Sequence, residues 1–153
     1  MAKKVVQVLD FVTEYDFLLL GIYCAYRDYK LCFELNKVLE LSFEKKEDFE
    51  MKLEKKGSAG QFPVFFAENT DEEEYFVIGN KGSNGLLIPE LKQVDYFVLV
   101  RNNTRYTTTD SLIEDIKPIK IISSVVKYNP EELKSGDSFL YIEKKAEKKI
   151  THS

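Results

Sequence analysis

Glu90 and Asp95 are the carboxylates of this chain whose placement most invites chemistry. They lie in the string Ile88-Pro89-Glu90-Leu91-Lys92-Gln93-Val94-Asp95-Tyr96. Two carboxylates perform acid–base work only when a fold sets their separation and surroundings, and spacing along a chain supplies neither. Arg101 and Arg105 follow soon after. With Glu90 and Asp95 they would serve as polar anchors in an aromatic-lined pocket for a small molecule. A structural reading of the same residues competes with this one. Pro89 forces Ile88 out of the helical region and fixes a turn. Glu90 then falls in a first helical turn, where the helix dipole favours an anion. Asp95 can accept bonds from backbone N–H groups where a strand begins, and Val94 and Tyr96 point to opposite faces of that strand. The structural reading is the stronger of the two, because turns and strand starts commonly use these residue types.

Other nucleophiles and ligands are few. Cys24 and Cys32 are the only cysteines, and neither stands in a Cys-x-x-Cys or zinc-like spacing. Cys32 falls on the apolar face of an expected helix, where a thiol behaves as a small hydrophobe. Two free thiols fit a reducing compartment, so a cytoplasmic location is expected. The one histidine, His152, is next to the last residue. A Ser-His-Asp or Cys-His system needs a rigidly held imidazole, so neither is expected. Chemistry by Lys, Glu or Tyr stays open. Gly79-Asn80-Lys81-Gly82-Ser83-Asn84-Gly85 resembles a phosphate-binding loop only in its glycines. It has neither the Gly-x4-Gly-Lys-Ser/Thr nor the Gly-x-Gly-x-x-Gly spacing, and it reads as a loop between strands. No metal or cofactor is expected.

The pattern Ile88-Pro89-Glu90, three free positions, then Val94-Asp95-Tyr96 resembles the signature of the IPExxxVDY family of small bacterial proteins, which takes its name from the string. Asp28-Tyr29-Lys30-Leu31-Cys32 and Leu35-Asn36 are similar to that family's first helix. The resemblance implies a small bacterial protein. It carries no catalytic role onto Glu90 or Asp95.

The elements that must position these residues follow from composition and periodicity. A chain of 153 residues, 44% hydrophobic and 31% charged, suits one globular domain with a core that needs no disulfide or metal. Eleven Phe and nine Tyr without Trp favour strands and packed interfaces. The net charge of −4, with signs interspersed, builds no basic stripe for duplex nucleic acid. The Lys144, Lys145, Lys148 and Lys149 excess lies in a tail, residues 144–153, expected to be disordered. Asp10, Glu14 and Asp16 interrupt what would be the apolar core of a signal peptide. The longest apolar run, residues 17–26, is about half of what a bilayer requires, so no membrane span is expected.

Strands are expected at residues 5–11, 17–23, 41–43, 48–53, 62–66, 75–78, 96–100, 119–128 and 139–142, with a turn at 55–60. A helix is expected from Asp28, acting as N-cap, to Leu39 or Glu40. Its apolar face would hold Leu31, Cys32, Leu35, Val38 and Leu39. One turn follows Pro89. A short helix carrying Leu112, Ile113 and Ile116 stops before Pro118. Strands and helices do not alternate regularly, so the expected fold is α+β: a mainly antiparallel sheet with two helices, over residues 1–143. The missing catalytic set and the aromatic surplus point to a non-enzymatic domain that binds another protein or itself. A small-molecule site is the alternative. A weaker one is RNA association through Tyr15, Tyr23, Tyr26, Tyr29 and Arg27, against which the acidic charge counts.

Overall fold

A computed structural model of the chain describes residues 17–52, 59–103, 109–139 and 142. The expected strand at 5–11, most of the turn at 55–60, Arg105, His152 and the tail 144–153 lie outside these residues.

Eight strands are present among them: β1 (Phe17–Tyr23), β2 (Glu44–Lys45), β3 (Phe49–Lys52), β4 (Ala59–Phe62), β5 (Val64–Glu68), β6 (Glu74–Gly79), β7 (Tyr96–Arg101) and β8 (Ser124–Lys127). Helix α1 spans Asp28–Leu39 and α2 spans Thr109–Ile116. Pro89–Leu91 and Pro130–Glu132 form single 3-10 turns. Six strands make one sheet in the order β2-β5-β6-β7-β1-β8, and every neighbouring pair is antiparallel. β3 and β4 form a separate antiparallel pair. The fold is α+β, as the sequence leads one to expect.

The central strands read as unbroken apolar runs because both sheet faces are covered. Side chains alternate between the two. On one face Leu20, Ile22, Tyr75, Val77, Val98 and Val100 pack against Leu31, Cys32, Leu35 and Leu39 of α1 and Leu112 and Ile116 of α2. On the other, Leu19, Phe76, Ile78, Phe97 and Leu99 pack against Phe49 and Phe62 of the β3–β4 pair. Leu87, Ile88, Val94 and Phe139 complete that layer. Ile88 and Val94 of the signature therefore belong to the core. Gly21 is required where the Tyr128 ring crosses β1: a Cβ there would lie 2.5 Å from Tyr128 Cε2 and 3.3 Å from Val94 Cγ1.

Several local expectations are corrected. Arg27, in extended conformation, precedes the first helical turn of α1, and Asp28 is the first helical residue rather than its cap. Val38 is exposed, because the buried stripe is narrower than the apolar pattern implies. α1 does end at Leu39, with Glu40 left-handed at φ 57°. Residues 41–43 are not a strand; the short edge strand is Glu44–Lys45. The run 62–66 is split at Pro63, which has no N–H to donate to a ladder, so β4 and β5 join different sheets. Gly60 lies within β4 rather than in a turn. Only Ser124–Lys127 of the run 119–128 is extended. Before it, two tight turns close by Ile119 N–H to Ile116 and Ile122 N–H to Ile119 bring both isoleucines onto the helical face of the core. Phe139 is helical and packs on the sheet instead of extending it.

Candidate functional site

The signature lies at the end of the sheet where β1 leaves for α1 and the loop after β6 returns to β7. Its organiser is Asn80, fully buried directly after β6. The Asn80 side-chain amide donates to the carbonyls of Leu91 and Val94, both at 2.9 Å. Its carbonyl oxygen accepts the Ile88 N–H at 2.8 Å. Its backbone N–H donates to Asp95 O at 3.0 Å, and its backbone carbonyl accepts the Leu87 N–H at 2.8 Å. The side-chain oxygen and nitrogen thus bind both sides of the loop that carries the signature. A loop with buried backbone groups needs such partners. The amide reads in sequence as part of a turn, and nothing in its spacing marks it as the hub.

Each polar signature residue then fastens one neighbouring segment. Pro89 opens the 3-10 turn, with Ile88 extended before it at φ −120° and ψ 90°. Glu90 reaches the C-terminal segment: Oε2 accepts the Ser135 N–H at 2.7 Å, and Oε1 accepts the Ser135 hydroxyl at 2.9 Å. Burial works to raise the Glu90 pKa. The bonds from Ser135 and from its own backbone, together with Lys134, outweigh that and hold the carboxyl below its ordinary range. Asp95 fastens the β1–α1 connection: Oδ2 accepts the Cys24 N–H at 2.8 Å, while Oδ1 pairs with Lys81 at 2.7 Å. The Asp95 N–H donates to Ile22 O at 3.0 Å. Tyr96 donates its hydroxyl to Tyr26 O at 2.8 Å, one residue before Arg27 leads into α1. Burial, and next the neighbouring Asp28 carboxylate, raise the Tyr96 pKa, so the phenol stays a donor.

All four carboxylate oxygens of Glu90 and Asp95 accept a bond within the protein. For Glu90 these bonds favour the ionised form, which does not suit it as a base near neutrality. The two side chains also turn to different partners. Arg101 stands at the far end of β7, about 20 Å from Asp95 at the rise of an extended strand. There it pairs with Glu74, its Nε donating to Oε1 at 2.7 Å. Nearby, the buried Glu73 accepts bonds from Asn69 Nδ2 at 2.6 Å and the Tyr75 hydroxyl at 3.1 Å. The structure therefore does not gather Glu90, Asp95 and Arg101 around one hollow.

The cysteines are buried and free. Burial pushes the Cys32 thiol up to about 12, and burial likewise raises Cys24 against an opposing bond to the Tyr26 backbone. Neither is a ready nucleophile. Among the described residues no group of three or more His, Cys, Asp or Glu is placed to hold a metal ion. No helix among them is long and apolar enough to cross a membrane.

What the signature fastens leads directly to an exposed aromatic face. Tyr26 is 53% exposed, Tyr29 64% and Phe33 55%. Tyr29 and Phe33 are four residues apart and so share a side of α1, opposite the stripe of Leu31, Cys32, Leu35 and Leu39. Lys37 and Lys30 lie over the Phe33 ring, at 4.8 and 5.6 Å from its centre. Both also approach Glu34, at 3.3 and 3.5 Å. The helix alternation that predicts the buried face also predicts this one, yet the sequence does not say that three aromatics stand in solvent. A scan of the chain against models of known protein families finds no match, and a search of curated proteins finds none.

Proposed function

We propose that this protein is a non-enzymatic interaction domain, with the outward face of α1 as its contact surface and the signature as the brace that presents it. The observation that carries the proposal is the pair Tyr29 and Phe33 on one side of α1, with Tyr26 just before the helix, each more than half exposed, on a connection bonded through Asp95 and Tyr96. Exposed aromatics are enriched at the centres of protein interfaces. A start held by hydrogen bonds within the fold reduces what must be ordered on binding. The bonded state of Glu90 and Asp95 supports a structural role for the signature. The string itself supports placing the chain with the IPExxxVDY family of bacterial proteins. The free, buried thiols of Cys24 and Cys32 fit a protein that works in a reducing cytoplasm. Its partner is another protein or a second copy of the chain.

The test uses a photo-crosslinking residue at position 29 or 33, with exposed Lys120 as the control position. A discrete adduct from 29 or 33 and not from 120 is the expected result. Strictly monomeric sedimentation, with equal adducts from every position, overturns the reading.

A further inference from the structure

Resting on the reading of α1 as a contact surface, we infer that its outward face docks an acidic peptide segment of a partner protein, anchored by one apolar side chain between Tyr29 and Phe33. The argument is one of charge. The face carries Lys30 and Lys37, both over the Phe33 ring, on a chain whose net charge is −4. Glu34 lies among them, but its side chain is 21% exposed, against 43% for Lys30 and 58% for Lys37. The single carboxylate sits deeper than the two ammonium groups it serves, so the outermost charge is positive. A complementary surface offers carboxylates to Lys30 and Lys37, and an apolar group to the rings beside them.

The same charges argue against other occupants. In a two-fold antiparallel pairing of this face centred between Phe33 and Glu34, Lys30 of one copy meets Lys37 of the other. In a parallel pairing each lysine meets itself. Like charges oppose a second copy in both of these registers. Single-stranded nucleic acid also uses aromatics, but along a cationic track that follows the backbone. Here the cations flank a carboxylate, and the protein as a whole is acidic.

The prediction is tested by selecting from a library of random twelve-residue peptides displayed on phage against the full chain, followed by titration of the selected synthetic peptides. Selected sequences should be acidic with an aromatic or large aliphatic residue. Their affinity should fall at least tenfold for Lys30→Gln/Lys37→Gln, at least tenfold for Phe33→Ser, and steeply as salt is raised. These positions are exposed, and an unchanged circular dichroism spectrum confirms that each variant folds. Neutral or basic selected sequences, affinities unchanged by both variants, or no enrichment over an uncoated control overturn the inference. So does an oligothymidylate that binds the face more tightly than the peptides, or a dimer in sedimentation that Phe33→Ser dissolves. The last outcome leaves the contact-surface reading standing. Equal photo-adducts from positions 29, 33 and 120 remove both.

Discussion

Asn80→Ala should be among the most damaging polar substitutions in this protein. The side chain makes three bonds and is fully buried. Removing it takes the amide from the Ile88 N–H and from the carbonyls of Leu91 and Val94. The Leu91 carbonyl keeps the Val94 N–H at 3.0 Å, so the main loss falls on the other two groups. A buried polar group left without its partner costs about 1–3 kcal/mol. The expected destabilisation is therefore roughly 2–6 kcal/mol, a lowering of Tm by roughly 4–24 °C for a chain of this size. Urea denaturation followed by circular dichroism measures it. Asn80→Asp sharpens the test. It sets a carboxylate against two carbonyl oxygens, which raises the folded-state pKa above the unfolded value of about 3.9. Its extra penalty is absent below that pH and grows as pH rises above it. A loss under about 1 kcal/mol for Asn80→Ala, or an Asn80→Asp penalty independent of pH, would refute the hub.

Three further outcomes follow from the same geometry. Gly21→Ala should cost about 1–3 kcal/mol, because its Cβ meets the Tyr128 ring at 2.5 Å and must displace it from the packed layer; an unchanged urea midpoint contradicts this. Glu90→Gln should cost under about 1 kcal/mol at neutral pH, since the bonds are solvent-screened. The Glu90 pKa is lowered by folding, so its contribution is present above the unfolded value of about 4.3 and is lost as pH falls through the folded value. The difference from wild type should shrink on acidification below pH 4, and a difference that widens there is the contrary result. Cys24 and Cys32 should resist iodoacetamide for hours at pH 8 in the native state and react within minutes in guanidinium; fast native labelling contradicts their burial.

Which parts of this arrangement the sequence reveals depends on how local their causes are. α1 is legible from its apolar periodicity, and β1 and β7 from short unbroken apolar runs. Gly21 argues against a helix on propensity, and its structural reason, the ring of Tyr128, is more than a hundred positions away in the chain. The split at Pro63 is legible from chemistry, since proline cannot donate to a ladder, but the apolar run on both sides hides it. The turns at residues 119–122 defeat periodicity because Ile119 and Ile122 are buried in the core cluster that holds α1 and α2, not by strand alternation. For the signature, the turn at Pro89 and the anchoring role of Asp95 are readable from residue type. The partners Ser135, Cys24 and Tyr26 are not, because the fold alone brings them near. Asn80 carries no sequence signal beyond its place in a glycine-rich loop. The exposure of Tyr29 and Phe33 depends on no other element among the described residues covering them, which is likewise a property of the fold.

Native-state amide hydrogen exchange on the wild-type protein measures most directly whether the signature is a brace. A loop free to move for ligand binding opens at low free energy, whereas one bonded into the core opens only with the fold. The amides of Asn80 and Ile88, together with Cys24 on the neighbouring connection, should exchange as slowly as those of β6 and β7, with an opening free energy matching that of global unfolding. Exchange of these three amides at the rate of an exposed loop, while β6 and β7 remain protected, would contradict the brace and with it the role assigned to Asp95 and Tyr96.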